Sequence, residues 1–152
     1  MSAVSTLLSG LGAEHRDRLQ DLAREVTFAA RVRLFNEGQH ADRFWILRSG
    51  AVALDLHVPG RNPAVIETLG PGRLVGVSWL IAPYTWQLGA SAVRTVSAAE
   101  FDAVAVRSRC RSDPELGAAV ALWTAQVLHR RLHASRVRLL DLYGPAGSGP
   151  LR

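Results

Sequence analysis

Lysine is absent from this chain, and all 18 of its basic residues are arginine. Cysteine occurs once, at Cys110, and methionine only at Met1. A lone cysteine excludes an internal disulfide and favours a reducing, cytoplasmic setting. Long apolar runs are missing too. Gly, Pro or Arg interrupts each one, so no membrane span is expected. Met1 to Gly12 carries no basic cluster, which argues against a secretory signal. The missing lysines fit a GC-rich coding genome better than a chemistry. The arginines are scattered, so a net charge of +5 does not by itself mark a nucleic-acid partner. The one dense basic stretch is His129 to Arg138. What is present is a chain of 152 residues, 48% of them apolar, enough to bury the core of one domain.

Three zones follow one another. Ser5 to Val26 reads as one or two short helices, with Leu19, Leu22, Ala23 and Val26 at helical spacing. Thr27 to Asp102 is dense in turn residues, among them Asn36-Glu37-Gly38, Ser49-Gly50, Gly70-Pro71-Gly72 and Gly76. Between them lie strand-length runs at Phe44 to Leu47, Ala51 to Val58, Ala64 to Leu69 and Ala90 to Val96. In the second run Ala51, Ala53, Asp55 and His57 alternate with Val52, Leu54, Leu56 and Val58. Many short strands with regular turns predict an antiparallel barrel or jelly roll.

The third zone, Asp113 to Tyr143, predicts one long helix. Asp113-Pro114-Glu115 supplies an N-cap, a proline at the first position and an acid in the first turn. Gly144-Pro145 ends it. Leu128, Leu132, Ser135, Leu139 and Leu142 are spaced 4, 3, 4 and 3 apart, the seam of a two-stranded coiled coil. The same leucines would also serve a helix packed on its own barrel. The expected organisation is one domain over 1–143, with the jelly roll at 27–102 and the helix at 113–143. A Gly/Pro/Ser-rich, disordered tail is expected at 144–152.

Particular motifs sharpen this picture. Leu34-Phe35-Asn36-Glu37-Gly38, then Ala41-Asp42-Arg43-Phe44-Trp45-Ile46-Leu47, then Ser49-Gly50-Ala51-Val52 follow in order. Together with Leu69-Gly70-Pro71-Gly72-Arg73-Leu74-Val75-Gly76, they resemble a cyclic-nucleotide-binding domain of the CAP/FNR regulator superfamily. Arg130-Arg131-Leu132 and Leu139-Leu140-Asp141-Leu142 are similar to that family's C-helix. The resemblance implies a double-stranded β-helix with N-terminal helices and a long C-terminal dimerisation helix. It implies a non-enzymatic sensory or regulatory domain whose ligand is a cyclic nucleotide or another small molecule.

The resemblance also implies a short helix starting at Gly76, whose N–H groups on Val77, Ser78 and Trp79 would face an anion. Gly76 would alternatively make a simple strand-to-helix turn. The family places a ribose-binding Glu where this chain has Val77. Aligned on Val93-Arg94, the family's phosphate-binding Arg falls at Gly89, and no arginine lies between Arg73 and Arg94. Losing two charge-assisted partners costs about 3–6 kcal/mol, so tight binding of cyclic AMP or cyclic GMP is not expected. The ligand-binding candidates are Gly76, Val77, Ser78, Trp79, Trp86, Gly89, Ala90 and Ser135. Val77, Trp79, Trp86 and Leu88 would make the cavity apolar and suited to an aromatic ligand, or else the tryptophans fill it. In the second case the domain is a degenerate, ligand-free dimeric interaction module.

Other chemistry has little support. His129 and His133 stand four apart on the long helix, but no third metal ligand is evident, so no metal site is expected. Arg109 and Arg111 flank Cys110 and could lower its pKa, which would open a redox role, but an inert cysteine at a helix end is the favoured expectation. His129, Arg130, Arg131, His133, Arg136 and Arg138 could touch phosphate, but a solvated or interhelical face beside the leucine seam is the expected place for them. The family's helix-turn-helix domain would follow Tyr143, where about ten residues remain, so no sequence-specific DNA binding is expected. The expected partners are a second copy through Leu128, Leu132, Ser135, Leu139 and Leu142, and an unidentified protein.

Overall fold

The computed structural model describes residues 11–143. The expected tail at 144–152 and the part of the first zone before Leu11 lie outside them. Helix α1, Ala13–Gln20, buries only Leu19. The strands are β1 Ala23–Phe28, β2 Arg33–Phe35, β3 Arg43–Ser49, β4 Val52–Leu56, β5 Ala64–Leu69, β6 Leu74–Val75, β7 Gly89–Ala92 and β8 Val96–Asp102. Helices α2, Ala103–Ser112, and α3, Pro114–Tyr143, follow. The strands form two four-stranded antiparallel sheets, ordered β1-β8-β3-β6 and β2-β7-β4-β5. This is the jelly roll expected from the turn-rich middle zone.

Three local expectations change. The helical spacing of Leu19, Leu22, Ala23 and Val26 does not hold, because the helix stops at Gln20 and the chain enters β1 at Ala23. Val26, Thr27 and Phe28 favour a pleated surface, and β1 pairs along its length with β8, from Ala23↔Phe101 to Phe28↔Val96. The run Ala90 to Val96 is two strands, because the chain turns at 93–95 between β7 and β8. In β4 the alternation does not sort inside from outside. Ala51 through Asp55 are all buried, and the Arg33 guanidinium lies across the Asp55 carboxylate, with Nη2 donating at 2.8 Å.

Between the sheets, Phe44 stacks on Phe101 and Trp79, with ring centroids 4.7 and 4.0 Å apart. Glu100, 6% exposed, accepts from Arg24 Nε and Trp45 Nε1, both at 2.9 Å. Its burial is therefore matched by donors.

Asp113 joins the two long helices. Its side chain caps α3 by accepting from the Leu116 N–H at 3.2 Å, and it pairs with Arg18 of α1. Gly117 allows the close crossing of α2 and α3, since a Cβ there would sit 2.8 Å from the Cys110 carbonyl oxygen. The Leu116 N–H, with help from Arg18, holds the Asp113 carboxyl below the usual carboxylate range. A depressed folded-state pKa adds stability above the unfolded value, about 3.9, which is lost as pH falls through the folded value. Asp113→Asn keeps the cap but not the charge. It should therefore be less stable than wild type at pH 7, with the gap closing in acid. Urea unfolding at a series of pH values checks this.

Helix α3 carries two separate faces. Leu116, Val120, Trp123 and Val127 form an inward stripe and are buried. The seam Leu128, Leu132, Ser135, Leu139 and Leu142 is displaced from it by one residue, about 100° around the helix. Leu132, Leu139 and Leu142 are 50, 55 and 62% exposed, and every residue from Leu132 to Leu142 is exposed. The two packings open to these leucines divide along the helix: Leu128 faces the barrel cavity, whereas Leu132, Leu139 and Leu142 do not pack on the chain's own barrel. No helix among the described residues is long and apolar enough to cross a membrane.

Candidate functional site

A cavity of about 420 Å³ opens between the sheet formed by β2, β7, β4 and β5 and the inner side of α3. Phe35 of β2 and Leu54 of β4 form its floor. Gly76, Val77 and Ser78 form one side, the segment 81–88 forms another, and Leu128 and Arg131 of α3 close it. Trp86 is its main aromatic wall, stacked on Phe35 with ring centroids 3.8 Å apart.

Gly76 is required here by both backbone and space. Its φ is +102°, and a Cβ would stand 2.6 Å from the Trp86 ring. The expected short helix after Gly76 is a three-residue 3-10 turn, Ser78–Leu80, with Val77 in front of it. So short a turn offers little aligned dipole for an anion. The following loop is well fixed. Trp86 N–H donates to the Gln39 carbonyl at 2.9 Å, and the Tyr84 carbonyl accepts from Ala41 at 2.7 Å. From α2, Arg107 donates to the Trp79 carbonyl at 2.6 Å and lies 4.0 Å over the Tyr84 ring.

Of the ligand-binding candidates, the cavity brings together Gly76, Val77, Ser78 and Trp86. Trp79 is fully buried against Phe44, its Nε1 donating to the Gly76 carbonyl at 3.1 Å. It supports the wall from behind. Ala90 is buried in β7, outside the lining. The Ser135 hydroxyl donates to the Arg131 carbonyl at 2.9 Å, on an exposed turn of α3. Gly89 faces away from the cavity, toward the Arg33–Asp55 pair, where a Cβ would stand 2.5 Å from Asp55 Oδ1. A second, polar cleft lies on that side, lined by Arg33, Asn36, Glu37, Asp55, His57 and Pro63. Leu88 and Gln87 face the cavity instead.

Sequence reasoning placed Arg131 on a solvated or interhelical face, whereas it lines the cavity. It is the only charged residue that does so among the described residues. One terminal nitrogen donates to the Leu74 carbonyl, while its Nε is buried without a partner. Burial pushes the Arg131 guanidinium below its usual range. Glu67 opposes that shift, and Arg73 and Arg130 add to it. A signal for this position existed. The inward stripe 116, 120, 123, 127 steps next onto 131.

Of the two readings of Cys110, the lowered pKa is not found and the inert cysteine is the one its surroundings favour. Burial pushes its thiol up and Asp113 adds to the shift, outweighing Arg111. The thiol is thereby made less reactive. Among the described residues no group of three His, Cys, Asp or Glu side chains is placed to hold a metal ion.

Known proteins share this architecture. A cyclic nucleotide-binding domain from Methylobacillus flagellatus superposes with a TM-score of 0.79 at 19% identity, over 92% of this chain and 85% of that one. That likeness carries the fold. The N-terminal domain of a transcriptional regulator from Streptomyces coelicolor superposes with a TM-score of 0.68 at 25% identity, over 84% of this chain and 90% of that one. The CRP-like cAMP-activated global transcriptional regulator of Mycobacterium tuberculosis is 28% identical over 109 residues, 72% of this chain and 47% of that protein. The chain thus spans about half the length of the curated relatives it matches. The sequence profile of the cyclic nucleotide-binding domain matches residues 25–113, from within β1 through the end of α2, and the chain belongs to that family.

Proposed function

We propose that this chain is a non-catalytic, ligand-sensing regulatory domain that dimerises through α3 and binds cyclic AMP and cyclic GMP weakly. The observation that carries the reading is the cavity itself. It keeps about 420 Å³ beside Gly76, yet Val77 stands where the family's resemblance implies a ribose-binding Glu. The 76–88 side offers no cation to a phosphate, and the one arginine present comes from α3. The rival reading, a ligand-free interaction module, requires the tryptophans to fill this space. Trp79 packs behind the wall and Trp86 lies flat on Phe35, so the volume remains. The exposed leucines of α3 support a second copy as partner.

Calorimetric titration tests the ligand part. Cyclic AMP and cyclic GMP should bind no tighter than roughly 100 μM, two missing charge-assisted partners having removed two to four decades of affinity. Low-micromolar binding of either nucleotide would overturn it.

A further inference from the structure

We infer that the cavity selects an amphipathic monoanion, an aromatic ring or short apolar chain bearing one carboxylate, with Arg131 as its anchor. The inference deepens the ligand-sensing reading and rests on it. Arg131 occupies the step of the α3 inward stripe that follows Leu116, Val120, Trp123 and Val127, all buried apolar side chains. An arginine there is costly unless an anion or enough acceptors meet it. The protein supplies one acceptor, the Leu74 carbonyl, and leaves the buried Nε–H without any.

The charges around the guanidinium do not neutralise it. Glu67 is its favourable neighbour, but Glu67 is itself held by Arg73 at 3.2 Å. Arg73 and Arg130 both add positive charge. No carboxylate lines the cavity among the described residues. A planar guanidinium with a free N–H matches a carboxylate in shape and charge.

The rest of the cavity sets the body of the ligand. Phe35, Leu54, Val77, Trp86 and Leu88 are apolar, and Ser78, Thr85 and Gln87 supply the few neutral polar groups. A ligand rich in hydroxyls would leave most of them unpaired against this wall. At about 420 Å³ the space lies toward the small end of ligand pockets, which run from roughly 300 to 1,000 Å³. That suits a small ring system or a medium chain. One cation calls for one negative charge.

The test uses the whole chain and two pairs of probes, indole-3-acetate with indole-3-acetamide and octanoate with octanamide. Each pair differs only in the charge of its head. Binding is followed by calorimetry and, for the octanoate pair, also by the protein's tryptophan fluorescence, to which Trp86 in the cavity contributes. At least one acid should bind roughly ten- to a hundredfold more tightly than its amide, the range expected of one charge-assisted contact. Arg131→Gln should erase that preference and Arg131→Lys should keep part of it. Circular dichroism confirms that each variant is folded, and the acid–amide comparison on wild type needs no variant.

Equal affinity for acid and amide, or no binding of either acid at millimolar concentration, overturns the inference. So does an acid preference that survives in folded Arg131→Gln. Titration with cyclic AMP separates the two levels. Tight cyclic AMP binding removes the proposed function, whereas weak cyclic AMP binding without acid preference removes only the Arg131 anchor.

Discussion

Glutamate at both Leu132 and Leu139 should convert a dimeric protein into a folded monomer. These side chains are 50 and 55% exposed in the single chain, so they contribute little to the fold of one copy. In a paired seam each leucine removed from water is worth about 1.5–3 kcal/mol. The double substitution removes four leucines from the dimer, each already about half covered in the single chain, so it forfeits about 3–6 kcal/mol, or two to four decades in the dimer dissociation constant. Four glutamates brought together across the seam would add repulsion. Light scattering after gel filtration reads the mass, and circular dichroism should show an intact jelly roll. Leu128 is left out of the variant because it also lines the cavity. That shared residue would let a ligand bear on the first turn of the seam. A monomeric wild-type protein at tens of micromolar would refute the seam as an interface.

Gly89→Arg is the second substitution with a large expected effect. The family resemblance suggests that an arginine here would restore phosphate binding. The structure predicts damage instead. Gly89 is buried in β7 opposite Asp55, and its missing side chain points into the Arg33–Asp55 pair. Asp55 is 4% exposed, and Arg33 is its charge partner. Displacing Arg33 leaves a buried carboxylate unpaired, which costs about 3–5 kcal/mol. Urea unfolding should show a loss of that size and no gain in cyclic AMP binding. A variant within about 1 kcal/mol of wild type would mean that the new arginine replaces Arg33 as the partner of Asp55.

The same residue shows where a sequence reading stops. Aligning on Val93-Arg94 places Gly89 in register along the chain, but which side of β7 it faces depends on pairing with β4. The register Asp55↔Gly89 and Leu54↔Ala90 is a long-range fact. Leu54 faces the cavity and Asp55 the polar cleft, so Gly89 goes with Asp55. A strand's period of two makes one step of register the difference between lining a pocket and backing it.

By itself the sequence determined the features carried by local chemistry. Turn residues at short intervals cut the middle of the chain into strands. Asp113-Pro114-Glu115 started the long helix, and the 4-3-4-3 spacing marked its outer seam. Gly76 and Val77 stood out through the family resemblance, which implies a turn glycine at the first and a ribose-binding Glu at the second. Tertiary structure decided the rest. It turned Ala23–Phe28 into a strand, since six residues of pairing with β8 outweigh a helical spacing of four. It raised the Cys110 thiol, because burial outweighs a neighbouring arginine in the sequence. It also moved Arg131 from the solvated face to the cavity wall. One residue of helix is about 100° of rotation, and only the packing of Leu116, Val120, Trp123 and Val127 fixes which way that rotation faces.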